Sequence, residues 1–146
     1  MLKVIASLIL IAAFVVLVAC DEHTSPNPNA GAIPIHVQTS LGSIANANVV
    51  VTSLDGEIIE GLEGITDQTG RVEFSYQGGG EGPVLVTVRG NEDATYFDEA
   101  ALDWQPFGTQ RILRAYLPNI QQQIVVTALT ELSAGLLAAI GAEANA

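Results

Sequence analysis

The sequence predicts a mainly β protein, an antiparallel sandwich of about seven short strands followed by a C-terminal α-helix. Apolar and polar residues alternate with a period of two in short runs between residues 33 and 126. Gly, Pro, Asn and Asp gather between those runs, and at Thr127 the period changes to that of a helix.

Ile33, Ile35 and Val37 alternate with Pro34, His36 and Gln38, so one face of a first strand points to a core. Pro34 suits an edge strand, because proline has no N–H to donate to a neighbour. Residues 48–53 form a second strand and 57–62 its return. The Asp55-Gly56 pair between them marks a tight hairpin, glycine tolerating the positive φ of the turn. Val72, Phe74 and Tyr76 then alternate with Arg71, Glu73 and Ser75. A Gly-rich break at 78–83 precedes a strand at 84–89, and residues 110–117 and 123–126 supply the last two.

Beyond residue 126, Leu129, Leu132, Leu136 and Ile140 recur at helical spacing over 127–142, with Thr127 placed to cap and Gly141 to terminate. Glu131 and Glu143 are its only charges. Such a helix is not stable alone, so the apolar stripe is expected to be buried, against the sandwich or as a docking stripe in a larger assembly.

The N-terminal part has a different character. Lys3 precedes an apolar run of 16 residues from Val4 to Ala19, broken only by Ser7. This is the layout of a secretory signal peptide over residues 1–19, and it falls short of the ~20 residues that cross a bilayer. Leu17-Val18-Ala19-Cys20 resembles the lipobox of bacterial lipoproteins. That resemblance implies cleavage before Cys20, a diacylglycerol on its thiol, an acyl chain such as palmitate on its amine, and attachment to the membrane in the cell envelope. An anchor helix that happens to end in cysteine is the alternative. Asp21, with Glu22 behind it, resembles an inner-membrane retention signal facing the periplasm. Residues 20–32, polar and rich in Pro and Asn, read as the lipidated cysteine and a flexible tether. A β domain at 33–126 follows.

Without residues 1–19 the chain carries four arginines (Arg71, Arg89, Arg111, Arg114) against all 16 carboxylates, one unit more negative than the full chain's −11. A nucleic-acid partner is excluded by the missing basic surface. The sole cysteine is assigned to lipid, so stability must come from packing rather than disulfides.

The run GSIANANVVVTSLDGEIIEGLEGITDQTGRVEFSY, residues 42–76, resembles carboxypeptidase-regulatory-like domains, a transthyretin/immunoglobulin-like sandwich family. The matching features are Ala47-x-Val49-x-Val51, then Thr66-Asp67-x-x-Gly70-Arg71-Val72-x-Phe74, then the strand from Val84 to Val88. In the most specific of these, Asp67 can bond its own turn and Gly70 can supply positive φ. Tyr96-Phe97-Asp98-Glu99-Ala100, Leu113-Arg114-Ala115 and residues 126–132 resemble bacterial lipoproteins in which a sandwich precedes a helical segment. Those relatives have Pro where this chain has Ala128, a good first helical residue. They continue into a longer helical region, which implies a short or truncated C-terminus here. The family implies a fold and an address, with activity largely undefined.

A catalytic constellation is not suggested. His23 lies in the tether and His36 on a strand, with no nucleophile–base pairing at either, and one distant histidine pair without a spare cysteine does not make a zinc site. No enzyme activity, cofactor or metal is therefore expected. The lysine-free mature chain also excludes the Lys–Asn isopeptide chemistry of similarly shaped adhesin domains. The richest stretch is residues 90–108, where Tyr96, Phe97, Trp104 and Phe107 accompany Glu92, Asp93, Asp98, Glu99 and Asp103. Within it, Tyr96, Asp98, Glu99, Asp103 and Trp104 are candidate ligand residues for Ca²⁺ or a glycan. In the favoured reading the aromatics cover one end of the sandwich while the acids face water; the spacing departs from the calcium-loop pattern. The expected function is a non-catalytic, lipid-anchored envelope protein acting as a structural or protein-interaction module. A carbohydrate- or cation-binding module is the alternative.

Overall fold

In the computed structural model, residues 31–40, 42–78 and 82–144 are described. They form β1 (Ile33–Ser40), β2 (Ile44–Ala45), β3 (Asn48–Ser53), β4 (Ile58–Ile65), β5 (Arg71–Tyr76), β6 (Val84–Arg89), β7 (Thr95–Asp98), β8 (Asp103–Pro106), β9 (Ile112–Leu117), β10 (Gln123–Thr127) and α1 (Ala128–Ala144). All seven expected strands are present. The other three are β2 and the β7–β8 hairpin, which occupies the segment read as a loop.

Three sheets result, ordered β10-β1-β5, β4-β3-β6-β9 and β2-β7-β8. The first two send alternate residues into one core: Ile35, Val37, Phe74, Ile124 and Val126 from one, Val49, Val51, Leu62, Val86 and Val88 from the other. Burial of these apolar side chains, most of them β-branched, drives the association, each contributing about 1.5–3 kcal/mol.

The expectation of a wholly antiparallel arrangement is corrected: β1 and β10 pair in parallel, from His36↔Gln123 to Ser40↔Thr127. β1 is therefore central rather than an edge. Pro34 is tolerated because β10 begins alongside His36, so Pro34 is paired only with β5, opposite Ser75. His36 faces Glu73 across that pair, Nδ1 to Oε1 3.0 Å.

The Thr-Asp-x-x-Gly element folds as its composition dictates. Asp67 Oδ1 accepts hydrogen bonds from Thr69 N and Thr69 Oγ1, both 2.7 Å, and from Arg71 N, 3.0 Å, while Gly70 takes φ +74°. These bonds hold the Asp67 carboxyl below the ordinary carboxylate range, the Arg71 amide first and the Thr69 hydroxyl second.

Two buried threonines then fix β2. Thr39 Oγ1 accepts from Ile44 N at 3.0 Å and donates to Gly70 O at 3.1 Å. Thr66 Oγ1 donates to Ile44 O at 2.7 Å and accepts from Ala47 N at 2.9 Å. Both backbone groups of Ile44 are thus held by side chains, as buried polar groups require. β2 pairs with β7, Ile44 opposite Tyr96. A Cβ at Gly42, whose φ is +71°, would collide with the Phe97 carbonyl, so glycine there lets β7 approach.

Candidate functional site

The aromatic-acidic segment is a hairpin with its own internal logic. Phe97 and Trp104 are cross-strand partners whose rings meet edge to face, centroids 5.6 Å apart and planes at 68°. Asp98 Oδ1 accepts from Ala100 N (2.9 Å) and Ala101 N (3.1 Å), Leu102 closes the turn with φ +53°, and Asp103 Oδ1 accepts from Trp104 N (2.8 Å). An Asp therefore stands on each side of the tip, Asp98 ending β7 and Asp103 beginning β8, its oxygen taking up nearby backbone N–H groups. Glu99 points into solvent, and Trp104 remains 39% exposed.

The five candidate ligand residues therefore separate. Tyr96 lies over the end of the core beside buried Phe107, while Asp98, Asp103 and Trp104 form the hairpin's outer end and Glu99 its rim. Among the described residues, no group of three or more His, Cys, Asp and Glu is placed to hold a metal ion.

The hairpin stands against the start of α1. Between them is an open depression of about 590 Å³ lined by Phe97, Asp98, Glu99, Ala100, Thr127 and Leu129 among others. On the other side of Tyr96 a crevice of about 370 Å³ is walled by Ile44, Phe107, Ile112, Leu113 and Ala128. Arg111 lies at this crevice with its guanidinium carbon 5.6 Å from the centre of the Tyr96 ring, a cation–π distance.

Thr127 caps α1, its Oγ1 accepting from Leu129 N and Thr130 N, both at 3.1 Å, while Thr130 Oγ1 accepts from Thr127 N at 2.9 Å. Glu131 Oε1 and Oε2 accept from Arg114 Nε at 3.2 and 3.0 Å, and Oε1 accepts from Arg114 Nη2 at 2.6 Å. That bond raises the Arg114 pKa above its ordinary value. Three residues on, Ala134 is only 6% exposed, a small side chain that lets the helix lie close to β9. Thr130, Glu131 and Ala134 thus share the inward face.

Of the two placements expected for the apolar stripe, burial against the body is not what the structure shows. Leu129, Leu132, Leu136 and Ile140 are 74%, 69%, 63% and 55% exposed, and Leu137 is exposed as well. The body holds α1 by its polar and small residues, which leaves the leucines facing outward. Nor does Gly141 end the helix, which continues to Ala144; one glycine inside a helix costs only about 1 kcal/mol.

Sequence reasoning missed Arg111 and the Arg114–Glu131 pair. The scarcity of cations was the available signal, since each of four arginines in an acidic chain invites a question about its partner. Leu17, Val18, Ala19, the lipidation candidate Cys20, and His23 lie outside the described residues. Among the described residues no helix is long and apolar enough to cross a membrane. No protein-family model, curated protein or solved structure matches the chain.

Proposed function

We propose that this chain is a lipid-anchored, non-catalytic protein of the cell envelope, and that its immunoglobulin/transthyretin-like sandwich presents α1 to another envelope protein. The observation that carries the reading is the row Leu129, Leu132, Leu136 and Ile140, exposed on a helix that Arg114 fastens from behind. A contiguous apolar face of this kind marks a contact surface. The helix-in-groove mode of recognition uses such spacing. The complementary partner presents an apolar groove that takes these four side chains. Leu17-Val18-Ala19-Cys20 supports the anchor, and tether 20–32 would hold the domain off the bilayer.

The anchor is tested by the intact mass of protein extracted from its host's membrane fraction, beside a Cys20→Ser variant. A species beginning at an acylated Cys20 is expected; one retaining Met1, or carrying no acyl group, contradicts it. Substrate turnover by the purified protein that disappears on mutating one carboxylate would overturn the non-catalytic assignment.

A second reading, a carbohydrate- or divalent-cation-binding module, is favoured by the exposed Trp104 ring on the same hairpin that carries Asp98 and Glu99. It predicts a thermal shift with Ca²⁺ or a glycan that Trp104→Ala or Asp98→Ala abolishes. Its absence across a broad panel would remove this reading.

A further inference from the structure

The crevice between β7, β9 and the first turn of α1 brings together two polar side chains with nothing to bind. Among the described residues the Arg111 guanidinium joins no ion pair and makes no side-chain hydrogen bond; it lies over the face of the Tyr96 ring. The Tyr96 hydroxyl has no hydrogen-bond partner among them either. Around these groups the walls are apolar: Ile44 and Phe107 at the base, Leu113 from β9, Ala128 from α1. An apolar recess with a few convergent polar groups is the usual composition of a small-molecule site.

We propose that this crevice binds a small amphiphilic monocarboxylate, its apolar body against Phe107, Leu113 and Ala128 and its carboxylate on Arg111. The size follows from the volume, since about 370 Å³ accommodates roughly a dozen groups at ~30 Å³ each. The sign follows from Arg111, which admits an anion and disfavours an amine. A single guanidinium matches the two oxygens of a carboxylate in fork geometry, whereas a phosphate head would call for more donors than Arg111 and one hydroxyl supply. The chain's overall negative charge does not forbid this, because salt screens exposed charges beyond ~8 Å at physiological ionic strength. The site is independent of the docking face on α1, which points away through Leu132 and Leu136.

The test is calorimetric titration of the full chain in lipid nanodiscs, with empty nanodiscs subtracted, using phenylbutyrate and the alcohol and amine of the same carbon skeleton. Phenylbutyrate is expected to bind saturably and about tenfold more tightly than phenylbutanol, with phenylbutylamine weakest. In Arg111→Gln, an exposed position, the acid should fall to the affinity of the alcohol; in Ala128→Phe both should lose binding because the recess is filled. Should Ala128→Phe fail to fold, Arg111→Gln decides alone. Absence of saturable binding by the acid, equal binding of acid and alcohol, or an unaltered acid affinity in Arg111→Gln overturns the proposal.

Discussion

Arg114 on β9 grips Glu131 on α1 through both Nε and Nη2, and this pair fixes which side of the helix faces the sheet. Both side chains are about a third exposed or less, so the pair lies between the weak surface regime and the costly buried one. Its geometric role is plain. With Glu131 turned inward, the leucines one position and five positions later must turn out.

Loss of the pair should release the helix locally. Arg114→Ala is expected to destabilise the protein by about 1–2 kcal/mol, with Glu131→Gln costing less and the two effects non-additive. Hydrogen exchange should show faster exchange over α1 while β3 and β6 keep their protection.

The clamp on Ile44 should be more sensitive. Thr66→Val keeps the shape but leaves Ile44 O and Ala47 N without their partner, and a cost of about 2–3 kcal/mol is expected in urea unfolding. Thr66→Ser, which retains the hydroxyl, should cost about 1 kcal/mol, the value of the missing methyl. Equal effects would show that the hydroxyl is not what matters.

Asp67 gives a pH signature. Its carboxyl is held below the ordinary 3.8 by hydrogen bonds to the charged form. A depressed folded-state pKa contributes stability that is fully present above the unfolded value and lost as pH falls through the folded one. The stability difference between wild type and Asp67→Asn should therefore be constant from neutral pH down to about 5 and shrink progressively below 3.8. A difference that grew on acidification would contradict the turn's geometry.

The outward leucines should contribute little to the monomer. Leu132→Gln with Leu136→Gln is expected to change the unfolding free energy by no more than the range of about ±0.5 kcal/mol per site that exposed substitutions show, read by urea unfolding. A loss of several kcal/mol would mean that these side chains belong to the core after all.

Much of the fold is legible in the sequence. Period-two alternation marks β1, β3, β5, β6 and β10, because one face of each is buried and the other wet. Asp55-Gly56 marks the β3–β4 hairpin, where Ser53 N donates to Glu57 O and Gly56 has φ +87°. β2 is illegible because two residues carry no period, and its hold comes from Thr39 and Thr66, distant in sequence. In β7 and β8 acids and aromatics adjoin, which obscured the strands; there the carboxylates of Asp98 and Asp103 serve the backbone. The parallel β1–β10 pairing joins the two ends of the domain, which local pattern does not specify. For α1 the period gave the helix and misled about its buried face, since Glu131 and Ala134 settle that through partners on another element.

The most direct test of α1 as a docking element is site-specific photo-cross-linking in the intact membrane of the host. A photoreactive residue replaces Leu136 in one strain and Val125, also exposed but on β10, in another. The expected result is one discrete adduct from position 136 to a different polypeptide, absent from position 125 and lost when Leu132→Glu is added. No discrete adduct at 136, a cross-link only to lipid or to a second copy of this chain, or the same products from both positions would contradict it.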